Sequence, residues 1–317
     1  MLENTVYNKV YKMMLHDRPK MVIPMINEIF QEQYKGQERI EFLEGTHYIK
    51  DTDGKLVERA TDSYFKVMDE REKEFHLEVQ STTDTTMVQR VYEYDSAIAY
   101  KYRNVDGNKV TVKFPPSAVL FLRHTRNTSD VMEMVVEMKE GTAIQKVPVM
   151  KLGNYSVEDI LKKKLLILIP FHIFVYENKF MVYNEDVREL EKLKEVFRKI
   201  KEHLDMLVEG GELDAYDRYF LISMTVKVVE NLAERFEHVV KGVIEAMVGT
   251  KLEYLSREEF YRIRNEGLAA GRNEGFAAGQ SEGERKAYLS MLKKGILTLA
   301  DVAKELNMSE ETVKTYL

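Results

Sequence analysis

The sequence predicts an α/β (α+β) domain followed by an all-helical C-terminal region. Three observations predict it: helical periodicity at the start, alternating or continuous apolar runs in the middle, and a later stretch rich in Glu, Lys, Arg and Leu. The expected parts are residues 1–182, a helical region over 183–264, a glycine-repeat helical arm over 265–286 and a small helical tail over 287–317.

The first part should begin with two helices. Val6, Val10 and Met14 recur at helical spacing, and a second helix is expected over residues 19–30 with a kink at Pro24. Alternating and continuous apolar runs then predict strands. These strands are expected over residues 38–43, 62–68, 74–81, 115–122 and 146–152, with a helix over 84–102 between the third and the fourth.

Later helices are marked by their caps and composition. Ser156 with Asp159 forms a capping-box pattern, which predicts a helix start. Residues 185–264 contain little proline and predict two or three long helices, with a break near residues 209–212.

Composition excludes several classes of site. The chain has 317 residues, no cysteine and a formal net charge of −6. Disulfides, thiolate zinc sites and cysteine nucleophiles are therefore excluded. The longest apolar stretch, residues 165–176, is shorter than the roughly 20 residues that a membrane span needs. We expect a soluble, cytoplasmic protein without a membrane partner, and the acidic charge counts against tight nonspecific binding of nucleic acid.

Residues 62–81 are expected to form a hairpin with one polar face. Side chains alternate along a strand, so Phe65, Val67, Phe75, Leu77 and Val79 should face the core. The opposite, polar face should carry Asp62, Tyr64, Lys66, His76, Glu78 and Gln80. A turn centred near residue 71 pairs 62 with 80, 64 with 78 and 66 with 76. Asp62 is then diagonal to Glu78, at about 5–8 Å between Cβ atoms.

Two carboxylates and an amide oxygen on one face suit a hard cation. Mg²⁺ binds through one or two carboxylates, waters and phosphate oxygens, and Mn²⁺ or Ca²⁺ is an alternative. A metal in this place would polarise a phosphate and activate a bound water. The alternative is the solvent-facing side of an ordinary amphipathic hairpin, which spacing alone favours. His76 beside Glu78 is interpreted as a surface residue and is left out of the site.

The same region resembles a nuclease family. ThrAspSerTyrPheLysVal at 61–67, PheHisLeuGluValGlnSerThrThrAsp at 75–84 and MetValGlnArgValTyrGluTyr at 87–94 resemble PD-(D/E)XK nucleases of the recombination-promoting nuclease (Rpn), or YhgA-like transposase, family. The matching residues are Asp62, Glu78, Gln80, Ser81, Asp84, Arg90 and Tyr94.

The resemblance implies a restriction-endonuclease-like core and a function. The expected activity is Mg²⁺-dependent endonucleolytic hydrolysis of DNA phosphodiester bonds, linked to recombination or mobile elements. Asp62 and Glu78 would be metal ligands and catalytic residues, together with Gln80. Alanine at Asp62 or Glu78 is expected to abolish cleavage without unfolding the protein, because both side chains should lie on the polar face.

Two departures from the family pattern leave an alternative open. The lysine usual in the motif is Gln80 here, so either the metal does more of the chemistry or Lys66 on the neighbouring strand substitutes for the lysine. Relatives tend to carry an acid in the first helix where this chain has Asn8. The alternative is a catalytically decayed nuclease fold that serves as a DNA-binding or oligomerisation protein. Arg90 either holds a DNA phosphate or makes a structural contact with a carboxylate.

The C-terminal tail predicts self-association or DNA contact. Glycines fall four residues apart at positions 267, 271, 275, 279 and 283, which places them along one stripe of a helix. Residues 298–317 resemble a helix-turn-helix, in which Lys314 is the only basic residue of the candidate recognition helix. A helical pair for dimerisation is an equal interpretation. We expect an oligomer, most simply a two-fold dimer.

Overall fold

The computed structural model describes residues 6–43, 46–50, 56–60, 63–82, 86–248, 299–305 and 310–314. The chain divides into two compact units, Met1–Lys251 and Leu252–Leu317. The expected boundary at 182/183 falls inside the first unit. Among the described residues, no helix is both long enough and apolar enough to cross a bilayer.

The first unit starts with the two expected helices. Helix α1 covers Val6–Asp17, and α2 covers Ile23–Phe30 after a 3₁₀ turn over Pro19–Val22. Pro24 lies in the first turn of α2, where its missing N–H has no intrahelical partner to lose. Pro24 therefore starts a helix and does not kink one, so the expected kink is wrong.

The described strands are β1 (Arg39–Phe42), β2 (Thr46–Lys50), β3 (Leu56–Ala60), β4 (Ser63–Met68), β5 (Glu74–Gln80), β6 (Asn104–Asp106), β7 (Lys109–Thr111), β8 (Ser117–Phe121), β9 (Val131–Met138) and β10 (Gly141–Lys151). Six of them form one mixed sheet in the order β1-β4-β5-β8-β10-β9. Strands β1, β4 and β5 are antiparallel neighbours, β5, β8 and β10 are parallel, and β9 pairs antiparallel with β10. The pairs β2–β3 and β6–β7 form separate hairpins.

The β4–β5 hairpin forms with a different register from the one expected. Tyr64 lies opposite His76, and Lys66 lies opposite Glu74. The carboxylate of Asp69 accepts hydrogen bonds from the backbone N–H groups of Arg71 (2.9 Å) and Glu72 (3.0 Å). This side-chain bonding closes the turn one residue earlier than expected and moves every partner by two. An even shift keeps each side chain on its predicted face.

Both faces of the β4–β5 hairpin pack against other elements. The apolar face of the hairpin packs into the main core with α1 and α2, as the alternation predicts. The polar face lies under helix α3, which covers Met87–Lys101. A second, smaller core forms on that side. It contains Met87, Val91, Val119, Phe121, Met134 and Val147.

Helices complete the first unit. The capping box at Ser156 is confirmed, because its hydroxyl accepts from the N–H of Asp159 and the Asp159 carboxylate accepts from the N–H of Ser156. The expected break in the long helices occurs between α6 and α7. The helical segments are α4 (Val157–Lys162), a 3₁₀ run (Leu166–Lys179), α5 (Phe180–Glu185), α6 (Val187–Glu209), α7 (Ala215–Leu232) and α8 (Glu237–Val248).

The second unit contains two described helices, Leu299–Glu305 and Glu310–Lys314. They lie where the helix-turn-helix pattern predicts helices, and Lys314 is exposed. The glycine stripe lies outside the described residues, so the oligomer expected from it stays a prediction.

Candidate active site

Glu78 and Gln80 lie near the carboxyl end of β5, in the middle of the six-stranded sheet. Both side chains are buried, with Glu78 fully inaccessible to solvent. The ordinary alternative of a solvent-facing polar hairpin face is therefore wrong for these two residues. Asp62 and Asp84, the other acids of the expected site, lie outside the described residues.

His76 connects two acidic side chains below the surface. Its Nδ1 lies 2.7 Å from Asp95 on α3, and its Nε2 lies 2.9 Å from Glu78. The hydroxyl of Ser117 on β8 donates to the Asp95 carboxylate, whose oxygens lie at 2.7 and 2.8 Å. His76 is fully buried, so its interpretation as a surface residue is wrong. We call Ser117, Asp95, His76 and Glu78 the polar network.

The polar network keeps His76 charged. Burial by itself lowers the pKa of the imidazole, but hydrogen bonds and electrostatic attraction to Asp95 and Glu78 outweigh it and raise the pKa of His76 to about 9. Near neutral pH the ring is therefore an imidazolium that donates one N–H to each carboxylate. Glu78 is held between the His76 imidazolium on one side and helix α3 on the other.

Arg90 reaches the polar network from the start of α3. Its Nη2 lies 3.4 Å from the second carboxylate oxygen of Glu78, and its guanidinium lies 5.8 Å from the ring centre of Tyr94. The structural contact expected as one role of Arg90 is thus present. Its role in holding a DNA phosphate stays a prediction.

Lys66 is not brought together with Glu78. Its ammonium lies 3.5 Å from Glu72 and 3.9 Å from Glu74, at the turn end of the hairpin. Because Lys66 pairs with Glu74, four residues before Glu78, the two side chains are separated by about 13 Å along the strand. The residues that the structure describes therefore place no lysine beside the carboxylate of the motif.

A cleft of about 520 Å³ opens where the parallel strands end. Its walls come from the residues that follow β5, β8 and β10 and from the 3₁₀ run. Arg123 binds the carboxylate of Glu177 through two nitrogens, at 2.5 and 2.8 Å, and donates to the carbonyl oxygen of Ser81 at 2.5 Å. Arg123 thereby joins the ends of β5 and β8 to the 3₁₀ run. In open α/β sheets, this edge is where ligands bind.

A second histidine lies beside a neighbouring cavity of about 440 Å³. His172 is buried, and its Nε2 lies 3.4 Å from the hydroxyl of Tyr176. Burial lowers the pKa of His172 to about 4, and attraction to the Glu158 carboxylate offsets part of that effect. This imidazole is neutral near neutral pH.

Comparison with known proteins gives no family: no family model, no curated protein and no solved structure matches the chain. The nuclease resemblance therefore stays an expectation.

Asp95 and Ser117 are members of the polar network that the sequence did not single out. Two signals pointed to them. Asp95 follows Tyr94 on the buried stripe of α3, and Ser117 is the one polar residue of the otherwise apolar strand β8.

Proposed function

We propose that the chain is a metal-dependent nuclease that hydrolyses phosphodiester bonds in DNA and has a restriction-endonuclease-like core. The observation that carries the proposal is the placement of Glu78 and Gln80. They lie two residues apart on one face of a central strand, and the residues that follow this strand and its two parallel neighbours line a cleft. This is the edge at which open α/β sheets bind their ligands.

The donor atoms of this site fit Mg²⁺. Glu78 and Gln80 offer carboxylate and amide oxygens, the ligand types that Mg²⁺ takes. No group of three or more acids and histidines suited to a metal occurs within the described ranges, and Asp62 falls outside them. Glu78 and Gln80 would hold the ion together with Asp62, waters and phosphate oxygens.

When bound, Mg²⁺ polarises a phosphate and lowers the pKa of a coordinated water. The chain's own residues do the rest. His76 fixes one oxygen of Glu78, Arg90 lies against the other, and Asp95 holds the imidazolium in place. Arg123 fixes the strand ends that form the cleft wall, so the substrate meets a preorganised edge.

One observation favours the second candidate, a decayed nuclease fold that only binds DNA. Glu78 is fully buried, and His76 and Arg90 already balance its charge. A carboxylate in that state loses more on coordinating a metal than a solvated one, because existing contacts must be rearranged. Metal binding therefore separates the two candidates.

The test is nicking of a supercoiled plasmid with Mg²⁺ or Mn²⁺ and with EDTA. The variant is Glu78→Gln, which keeps the volume and removes the charge. Glu74→Gln is the matched control, since Glu74 lies four residues away on the same face of β5. We expect metal-dependent nicking that falls at least about 100-fold in Glu78→Gln and persists in Glu74→Gln. A higher unfolding temperature with metal should accompany it.

Three outcomes would overturn the proposal. Nicking that survives EDTA, or that Glu78→Gln leaves intact, would place the chemistry elsewhere. A folded protein that neither nicks DNA nor gains thermal stability from Mg²⁺ or Mn²⁺ would favour the decayed fold.

A further inference from the structure

A basic hairpin projects between α3 and β8. Residues 100–113, here called the β-arm, contain β6 and β7, and every one of them is exposed. Gly107, with φ of +55°, is the first of two residues joining the strands, where a type II′ turn places glycine. A two-stranded hairpin without a covering partner is marginally stable in water. The β-arm is therefore an element that gains stability by binding something.

The charge of the β-arm is opposite to that of the whole chain. It carries four basic side chains against one acidic side chain, in a protein of net charge −6. Within the described part of the chain, Arg103, Lys109 and Lys113 form no ion pair with a carboxylate. These cations are therefore available to an external polyanion.

We infer that the β-arm binds the phosphate backbone of duplex DNA. Backbone recognition needs exposed Lys and Arg, and a two-stranded ribbon fits the width of a DNA groove. Stacking on bases is disfavoured, because the guanidinium of Arg103 lies 4.1 Å from the ring centre of Tyr100. Lys101 likewise lies over the ring of Tyr102 at 5.5 Å.

Exposed valines on the β-arm point to the competing partner, another protein. Val105 and Val110 form a cross-strand pair on one face, and Val112 follows. Lys109 lies on the opposite face of the hairpin, and Arg103 and Lys113 lie just outside the two strands. Cations spread along the β-arm suit an extended phosphate backbone better than a single apolar interface does.

The placement of the β-arm fits the proposed substrate. Helix α3 has Arg90 near its start, Asp95 of the polar network at its middle and the β-arm at its end. From Arg90 to Lys101 the helix rises about 16 Å, which corresponds to about five base pairs of a duplex. The inference deepens the proposed function, since it names where that substrate is held. Binding is measured without cleavage, so the two are tested separately.

The experiment measures binding of the full-length chain to a short fluorescent DNA duplex in EDTA, across a series of KCl concentrations. Lys109→Ala with Lys113→Ala is the test variant. Lys139→Ala with Lys227→Ala is the matched control, because both of these lysines are exposed, lie outside the β-arm and change the net charge equally. We expect the β-arm variant to bind about tenfold or more weakly and to flatten the salt slope by about two, while the control binds like wild type.

Three results would overturn the inference. They are equal weakening by both variants, wild-type binding by the β-arm variant, and no DNA binding by the unaltered chain. The second of these would favour a protein partner on the valine face. Adding Mg²⁺ in a parallel nicking assay separates the two proposals. Binding that depends on the β-arm but occurs without nicking supports this inference and overturns the nuclease. Nicking together with DNA binding that does not depend on the β-arm overturns this inference and supports the nuclease.

Discussion

Two histidines of this protein are buried to the same depth and behave in opposite ways. His76 is 0% exposed and His172 is 1% exposed. The pKa of His76 rises to about 9, whereas the pKa of His172 falls to about 4. His76 lies between two carboxylates, and His172 has one long contact to the hydroxyl of Tyr176. Partners, and not depth, decide the charge of a buried imidazole.

The two histidines also differ in how the side chains around them are held. Around His76, each charged group is held by another, so the polar network rigidly positions Glu78. Around His172, Nδ1 is buried and has no hydrogen-bond partner among the described residues. An unsatisfied nitrogen is tolerable there because the ring is neutral and packs mainly as an aromatic side chain.

The largest expected effect on stability comes from removing the Glu78 carboxylate from the polar network. Glu78→Ala leaves His76 and Arg90 buried against one carboxylate fewer, which should lower the free energy of unfolding by about 3–5 kcal/mol. The expectation from the sequence that alanine leaves the fold intact is therefore revised. Urea unfolding measures the loss. Glu212→Ala, which removes an exposed pair with Lys164, is the control and should cost at most about 1 kcal/mol. Equal losses would contradict a buried ion network.

A smaller loss of stability should follow from removing the hydroxyl of Ser117, the neutral member of the polar network. Ser117→Ala deletes the hydrogen bond from its hydroxyl to the Asp95 carboxylate and should cost about 1.5–3 kcal/mol in urea unfolding. Ser96→Ala on α3 is the matched control, since the Ser96 hydroxyl is buried without a hydrogen-bond partner among the described residues. If the two alanine variants lose the same free energy of unfolding, the polar network does not stabilise the fold through Asp95.

The smallest expected effect is the acid sensitivity of His172. Its folded-state pKa lies below the unfolded value of about 6.5, so the folded protein binds fewer protons. The contribution of His172 to the free energy of unfolding is complete above pH 6.5 and is lost as the pH falls towards 4. About 1.5 kcal/mol should be gone by pH 5.5. The measurement is the difference in unfolding free energy between wild type and His172→Phe at pH 7 and 5.5. Parallel pH curves for the two proteins would contradict a neutral His172.

Much of the fold follows from local patterns. Alternation placed Phe75 and Leu77 in the core, helical spacing found α1 and α3, and a continuous apolar run found β8. These predictions succeed because the period of the side chains depends only on neighbouring residues. The hairpin register failed by two residues, because it depends on one side chain, Asp69, bonding to the turn backbone.

The polar network was harder to predict because it depends on tertiary contacts. The sequence shows that His76 shares a face with Glu78, but it does not show that α3 covers that face and brings Asp95 within 2.7 Å. The strand β9 and the β-arm were also missed. Local signals existed for both, in GluGly at 140–141 and AspGlyAsn at 106–108.

The polar network also constrains the order in which the chain folds. Strands β5 and β8 are parallel neighbours joined by a crossover through α3, and His76 pairs with Ser117 roughly forty residues later. The hairpin β4–β5 closes locally and forms without this crossover. His76, Asp95 and Ser117 meet only when the crossover is complete. Before α3 docks, Glu78 lacks its contact with Arg90 and His76 lacks its contact with Asp95, so burial of this strand costs less once α3 is in place. These long-range contacts thus disfavour a collapsed sheet that lacks its helix.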